Sequence, residues 1–214
     1  MTQTHAHPRV SIGLPVFNGA RYLRAALESI VAQTLNDWEL IICDNASTDG
    51  TGEICGEFVR RDKRIQYHRS ATNRGAAPNY NWAFTLAVGE YFKWADYDDV
   101  IAPRFLEECV RVLDREPEVV ACFTRAYLID QTGAVVCEYD PLPDTSSVRP
   151  HVRFGKLLLE QDHRLIQASG VLRTSAVRRT RLHESYPCSD EVLLAHLALL
   201  GRYHEVPDRL ASIR

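Results

Sequence analysis

Short apolar runs and helix-period stripes alternate along the first half of this chain, and that alternation leaves few folds open. Residues 9–15 (RVSIGLP) put Val10, Ile12 and Leu14 on one face with the period of two of a strand. Beyond Asn18-Gly19, apolar residues recur at Leu23, Ala26, Leu27, Ile30 and Val31, the stripe of a helix capped near Asn18 or Gly19. Residues 38–44 (WELIICD) are apolar almost throughout, as strands covered on both faces are. A turn (NASTDGT), a helix over residues 53–61 and a strand over residues 64–69 follow. A third helix is expected over residues 78–88 with Gly89 at its C′ position, then a strand, EYFKWAD. Strand and helix in strict alternation predict an α/β fold, a doubly wound and mostly parallel sheet with right-handed crossovers.

The second half is less regular. Pro103 opens a helix that turns Leu106, Cys109, Val110 and Leu113 inward, EVVACFT reads as a strand, and AYLID-QTG-AVV as a hairpin turned at Gly133. The Pro- and Ser-rich residues 140–150 suit a loop or internal boundary. Helix 154–161, strand 166–173, a short helix and a final helix over residues 190–200 complete the reading, and ASIR at the end looks like a strand just beginning. At 214 residues the chain is one large domain or two closely packed halves. A net charge of -3 offers no basic footprint for nucleic acid. Six cysteines without a CxxC pair, several inside apolar runs, predict buried reduced thiols rather than a disulfide frame or zinc site. No apolar run is long enough to span a bilayer and MTQTHAHPR has no signal-peptide core, so the expectation is a cytoplasmic chain.

Ligands of open α/β sheets bind beyond the carboxyl ends of the strands. Acidic and amide side chains gather there: Pro15 to Asn18 after the first strand, Asp44 to Asp49 after the second, and Asp96, Asp98 and Asp99 after the fourth. Singly, each cluster reads as a turn, a cap or a solvated loop; at the same edge of successive strands they read as a site. Carboxylates separated by one residue suit a hard divalent cation, Mg²⁺ or Mn²⁺, which binds oxygen and leaves room for substrate phosphates. The chain has neither GxxxxGK[ST] nor a GxGxxG after the first strand, which argues against a P-loop and a dinucleotide-binding site.

Four stretches, SIGLPVFNGARYLRAALESIVAQT, WELIICDNASTDGT, NRGAAPNYNWAFTLAVGEYFKWADYDD and SDEVLLAHLALLG, resemble the inverting, GT-A-fold nucleotide-sugar glycosyltransferases of the family 2 group that make bacterial surface polysaccharides. The likeness implies a GT-A-like sheet with a tail over residues 1–8, a nucleotide-sugar-binding half over 9–124 and an acceptor and catalytic-base half over 125–214. It implies that Pro15, Phe17 and Asn18 line the nucleotide pocket, that Asp44 accepts a hydrogen bond from the base and that Arg74 lies near it. Asp96 would serve ribose or the metal, Asp98 the metal directly, and Asp99 the sugar. Asp190 becomes the candidate base, at the start of a helix closed by Gly201; Ser189 stands where the family usually has Glu, Glu191 is its rival, and helix capping is the plain alternative. The implied donor is a nucleoside-diphosphate sugar, UDP-linked first, and the implied acceptor a saccharide or lipid-linked saccharide, with peripheral contact to the inner face of the membrane open.

Trp94 and Tyr97 flank the acidic run, as sugar-stacking aromatics or plain core; His163 is a candidate to face the acceptor, and Arg178-Arg179 reads first as a solvated helix face and second as a contact for a lipid phosphate or an anionic membrane. The abrupt end suggests a catalytic core cut from a longer chain, or a minimal member. Two other readings stand beside transfer: a nucleotidyltransferase, for which PVFNGARY lacks the Gly-rich basic loop, and a non-catalytic relative that binds a nucleotide or partner.

Overall fold

Strand β1 (Val10–Val16) is buried at every position, which only a sheet covered on both faces allows. It is followed by α1 (Ala20–Val31), β2 (Trp38–Asp44), α2 (Thr51–Arg61), β3 (Ile65–Arg69), α3 (Ala76–Thr85), β4 (Tyr91–Trp94), β5 (Val100–Ile101) and α4 (Phe105–Arg115). The chain continues through β6 (Val119–Ile129), β7 (Val135–Tyr139), α5 (Pro150–Leu159), a 3-10 turn (Ile166–Ser169), β8 (Val171–Arg173), α6 (Thr174–Val177), α7 (Ser189–Leu200) and β9 (Arg202–Ile213). This computed structural model describes residues 7–139, 145–159 and 166–214.

One sheet runs β3-β2-β1-β4-β8-β6-β9-β5, with β7 paired to β6. Strands β3, β2, β1 and β4 are mutually parallel, and β6 and β9 are parallel to each other; β8 runs antiparallel between β4 and β6. The period of two along β2 divides the core: Leu40 and Ile42 face one apolar cluster, with Leu23, Leu27 and Phe58 of α1 and α2. Ile41 and Cys43 face the other, with Phe84 of α3 and Leu193, Leu194 and Leu197 of α7. The doubly wound, mostly parallel sheet expected from the alternation is the one observed.

Several local expectations need correction. Gly89 is not a helix C′ residue, because α3 ends at Thr85. Its lack of a side chain serves close packing: a Cβ there would stand 2.6 Å from the Ser11 main-chain nitrogen. EVVACFT and AYLID form one strand, β6, of 11 residues, and Gly133 turns it into β7 with φ +89° as expected. Residues 166–173 are strand only from Val171; before that the chain winds into the 3-10 turn, whose Ser169 carbonyl accepts a hydrogen bond from the buried Lys93 ammonium. ASIR does not begin a strand but ends β9, which starts at Arg202. Of the six cysteines, Cys43, Cys55, Cys109 and Cys122 are buried, while Cys137 and Cys188 are exposed; all are free thiols. Residues 140–144 of the Pro- and Ser-rich stretch, and His163, lie outside the described residues.

Candidate active site

The loops after β1 and β2 are latched together by short polar side chains. Asn18, at φ +52°, donates its main-chain N–H to Ser47 Oγ (2.9 Å), and its Oδ1 accepts from the Thr48 N–H (2.8 Å). Asp49 Oδ2 accepts from the Ala20 N–H at the start of α1 (3.1 Å). Pro15 is buried in register with Cys43, whereas Phe17 is 43% exposed at the rim. Asp44 is fully buried: Oδ1 accepts from the Ser47 N–H (2.8 Å), Oδ2 from the Tyr67 hydroxyl (2.6 Å), and Arg69 Nε stands 3.5 Å from Oδ2. Pro15, Phe17, Asn18 and Asp44 thus form the support and rim of one edge rather than the wall of the main cleft.

Asn45, part of the Asp44 to Asp49 run but with no role of its own assigned from the sequence, reaches further. Its Oδ1 accepts from the Arg74 N–H (2.9 Å) and its Nδ2 donates to Asn73 Oδ1 (2.8 Å) and the Gly75 carbonyl (3.0 Å). Gly75, at φ +89°, turns the chain into α3, and Arg74 lays its guanidinium over the Trp82 ring at 4.9 Å. One amide therefore holds Arg74 at the cleft.

The acidic loop follows β4. Asp96 Oδ1 accepts from the Tyr80 hydroxyl of α3. Burial, and then the nearby Asp96 carboxylate, raise the pKa of Asp98; the same two causes push Asp99 up to about 7, against the opposing Arg214 N–H. Carboxylates that resist ionisation this way lack a full counter-charge in the protein. Lys93 lies beneath, buried, with its Nζ on the carbonyls of Trp94 (3.1 Å) and Ser169; the same burial lowers its own pKa, so it offsets the deficit only in part. Arg214, also missed, comes from the end of β9: its N–H donates to Asp99 Oδ1 (3.1 Å) and its Nε to the Asp98 carbonyl (3.2 Å).

A cleft of about 990 Å³ opens beside this loop. Arg74, Tyr80, Trp94, Asp96, Asp99, His183 and Asp190 are among the residues that line it. Trp94 is a core residue, 3% exposed, that packs on Phe84 and Phe92 and donates Nε1–H to the Tyr80 carbonyl (3.1 Å); it also borders the cleft. Asp190 sits in the first turn of α7, where the helix dipole favours a carboxylate. It does not cap that helix: Cys188 holds the N-cap position and no side chain bonds the free N–H groups. Glu191 is not among the residues that line the cleft. His183 meets Tyr80 and Trp94 edge-on at 5.0 and 4.9 Å, and burial lowers its pKa, so the imidazole is neutral near pH 7.

Of the residues singled out from the sequence, the fold brings Arg74, Asp96, Asp99 and Asp190 into one cleft, with Asp98 between Asp96 and Asp99 in the chain. Oxygen donors without soft ligands suit a hard cation, and the raised Asp98 and Asp99 pKa values mark a place short of positive charge. Among the described residues, no group of three or more His, Cys, Asp or Glu side chains converges as a complete metal cage. A partial set is what Mg²⁺ uses when substrate phosphates complete its shell.

Comparison with known proteins identifies the family and the fold. The chain is 33% identical over 112 residues to glycosyltransferase GlyG of Streptococcus pneumoniae serotype 4, covering 52% of this chain and 37% of GlyG. It spans about half or less of the length of the curated relatives it matches. Its fold is that of Staphylococcus aureus TarS 1-349, solved in complex with UDP-GlcNAc (TM-score 0.76, 18% identity, 95% of this chain and 58% of that one). It is also that of the mannosyltransferase PcManGT from Pyrobaculum calidifontis, solved with GDP-Man and Mn²⁺ (TM-score 0.70, 20% identity, 98% and 57%). The profile described as "Glycosyl transferase family 2" matches residues 11–181, most of the chain, and the chain belongs to that family.

Proposed function

We propose that this glycosyltransferase moves a sugar from a nucleoside-diphosphate sugar to an acceptor hydroxyl with inversion, assisted by a divalent cation. The observation that carries the reading is the cleft itself, which Asp96, Asp99 and Asp190 line together. Arg74 and the rim above Asp44 take the nucleoside. The diphosphate lies along the acidic loop, where Asp98 and Asp96 would hold Mg²⁺ or Mn²⁺. Such a cation supplies the positive charge that a departing diphosphate needs. Complexes of the fold neighbours with UDP-GlcNAc, and with GDP-Man and Mn²⁺, support a donor of this class.

Asp190 takes the proton of the attacking hydroxyl. A carboxylate at this place needs no covalent sugar intermediate, so a single displacement inverts the anomeric centre. The acceptor is a saccharide or lipid-linked saccharide; among the described residues no helix is long and apolar enough to cross a membrane. Replacing Asp190 with Asn tests the role. Turnover of the donor that the wild type uses is expected to fall by about 10²–10⁴-fold, the usual contribution of a general base, while nucleoside-diphosphate binding stays within twofold. An Asp190→Asn enzyme with wild-type turnover would remove Asp190 from the mechanism.

A further inference from the structure

His183 stands in the cleft wall with its hydrogen-bonding capacity unspent. Its main chain is clamped to α3, its N–H donating to Asn81 Oδ1 (3.0 Å) and its carbonyl accepting from Asn81 Nδ2 (2.8 Å). The preceding Leu182 takes φ +60°, a left-handed conformation that a bulky side chain adopts only when its surroundings impose it. The chain is thus bent to present His183 at one place. There the ring is boxed between Tyr80 and Trp94, with interplanar angles of 60° and 80°. Nε2 is closed off from water and has no partner among the described residues. A phenylalanine would fill this aromatic box with no polar atom to satisfy, so packing alone gives no reason for an imidazole.

We propose that His183 is a specificity-determining residue, its imidazole accepting a hydrogen bond from a hydroxyl of the transferred sugar. The proposal rests on the donor reading above. With the diphosphate along Asp96 and Asp98 and the attacked hydroxyl at Asp190, the sugar ring must cross the space His183 borders. Nε2 is closed off from water, so Nδ1 is the ring nitrogen left to accept from a ligand in the cleft that His183 lines. The edges of Tyr80 and Trp94 meet the apolar faces of a pyranose, and the single nitrogen reads the orientation of one hydroxyl. A site built to pair with a hydroxyl rejects the analogue that cannot supply it, because its own polar atom is then left unpaired.

The test is calorimetric titration in Mn²⁺ of UDP, UDP-glucose, UDP-galactose, UDP-GlcNAc, GDP and GDP-mannose against the wild type and His183→Phe. The wild type is expected to bind one nucleoside diphosphate and to separate the sugars carried on it. His183→Phe should bind the free diphosphate as the wild type does, while the spread among its sugars shrinks by about tenfold, one hydrogen bond's worth. A spread unchanged in His183→Phe overturns the proposal, as does a wild type that binds the nucleotide yet treats its sugars alike. A wild type that binds neither diphosphate fails one step earlier, at the donor reading. Should phenylalanine disturb folding, as a melt would show, His183→Gln carries the same test: an altered order of sugar preference supports the role, and an unaltered order overturns it.

Discussion

Asp49 shows how the rim is held by single side chains. Its Oδ1 accepts from the Thr51 N–H (3.0 Å) and hydroxyl (2.6 Å), and its Oδ2 from the Ala20 N–H. Burial pulls its pKa upward, but the Thr51 hydroxyl and the main-chain N–H groups of Ala20, Thr51 and Asp49 itself outweigh it and leave the carboxyl below the ordinary 3.8. A depressed carboxylate contributes stability that is complete above the unfolded pKa and is lost as pH falls through the folded one. Asp49→Asn is therefore expected to melt about 2–4 °C below the wild type at pH 7, with the gap closing as pH drops below about 3.9. Thermal melts from pH 7 to pH 2 check this, and a gap constant across that range would contradict it. At this scale the sequence was only half legible. The motif residues could be found as short strings at strand ends, and Asp96, Asp99 and Asp190 do meet in one cleft. Their partners could not, because they arrive from elsewhere: Tyr80 lies 16 residues before Asp96, and Arg214 lies 116 after Asp98. No local pattern marks a tyrosine that will bond a distant carboxylate. Asp44 illustrates the complementary difficulty, since exposure cannot be read from a strand end.

Secondary structure was most legible where periodicity and burial coincide. The stripe in α1 predicted Leu23, Ala26, Leu27, Ile30 and Val31 inside; the first four are buried and Val31 is partly buried against the same core. It was least legible where distant polar contacts override propensity, as in residues 166–169, which leave the extended form where Lys93 bonds the Ser169 carbonyl. The junction of α3 with β1 and β2 is the clearest tertiary device among these elements. Ser11 Oγ donates to Glu39 Oε1 (2.5 Å) and accepts from the Gly89 N–H (2.8 Å), while Gln66 Nε2 donates to Glu39 Oε2 (3.0 Å). A methyl at Gly89 would press on the Ser11 nitrogen at 2.6 Å and the Tyr91 carbonyl at 2.9 Å, both main-chain atoms of the sheet. Since strands cannot retreat as a flexible side chain can, Gly89→Ala is expected to cost about 1–3 kcal/mol. Urea unfolding measures this, and a variant as stable as the wild type would show that the turn after α3 yields freely.

Across the whole molecule one sheet joins both halves of the chain, because β8 and β6, from the second half, extend it beyond β4. That continuity brings the acidic loop after β4 and the first turn of α7 to the same cleft, which both line. The alternation of strands and helices was enough to anticipate the first half of this arrangement. The insertion of antiparallel β8 between β4 and β6 was not, since its three residues carry too little pattern to fix a partner. The central claim is that a nucleoside diphosphate binds at this cleft through a cation held by Asp98 and Asp96. The measurement that tests it most directly is calorimetric titration of UDP and GDP, each with and without Mn²⁺, into the wild type and Asp98→Asn. The account predicts that one of the two binds, that Mn²⁺ strengthens it at least tenfold, and that Asp98→Asn abolishes the strengthening. Binding indifferent to Mn²⁺, or a metal effect that survives Asp98→Asn, would contradict it.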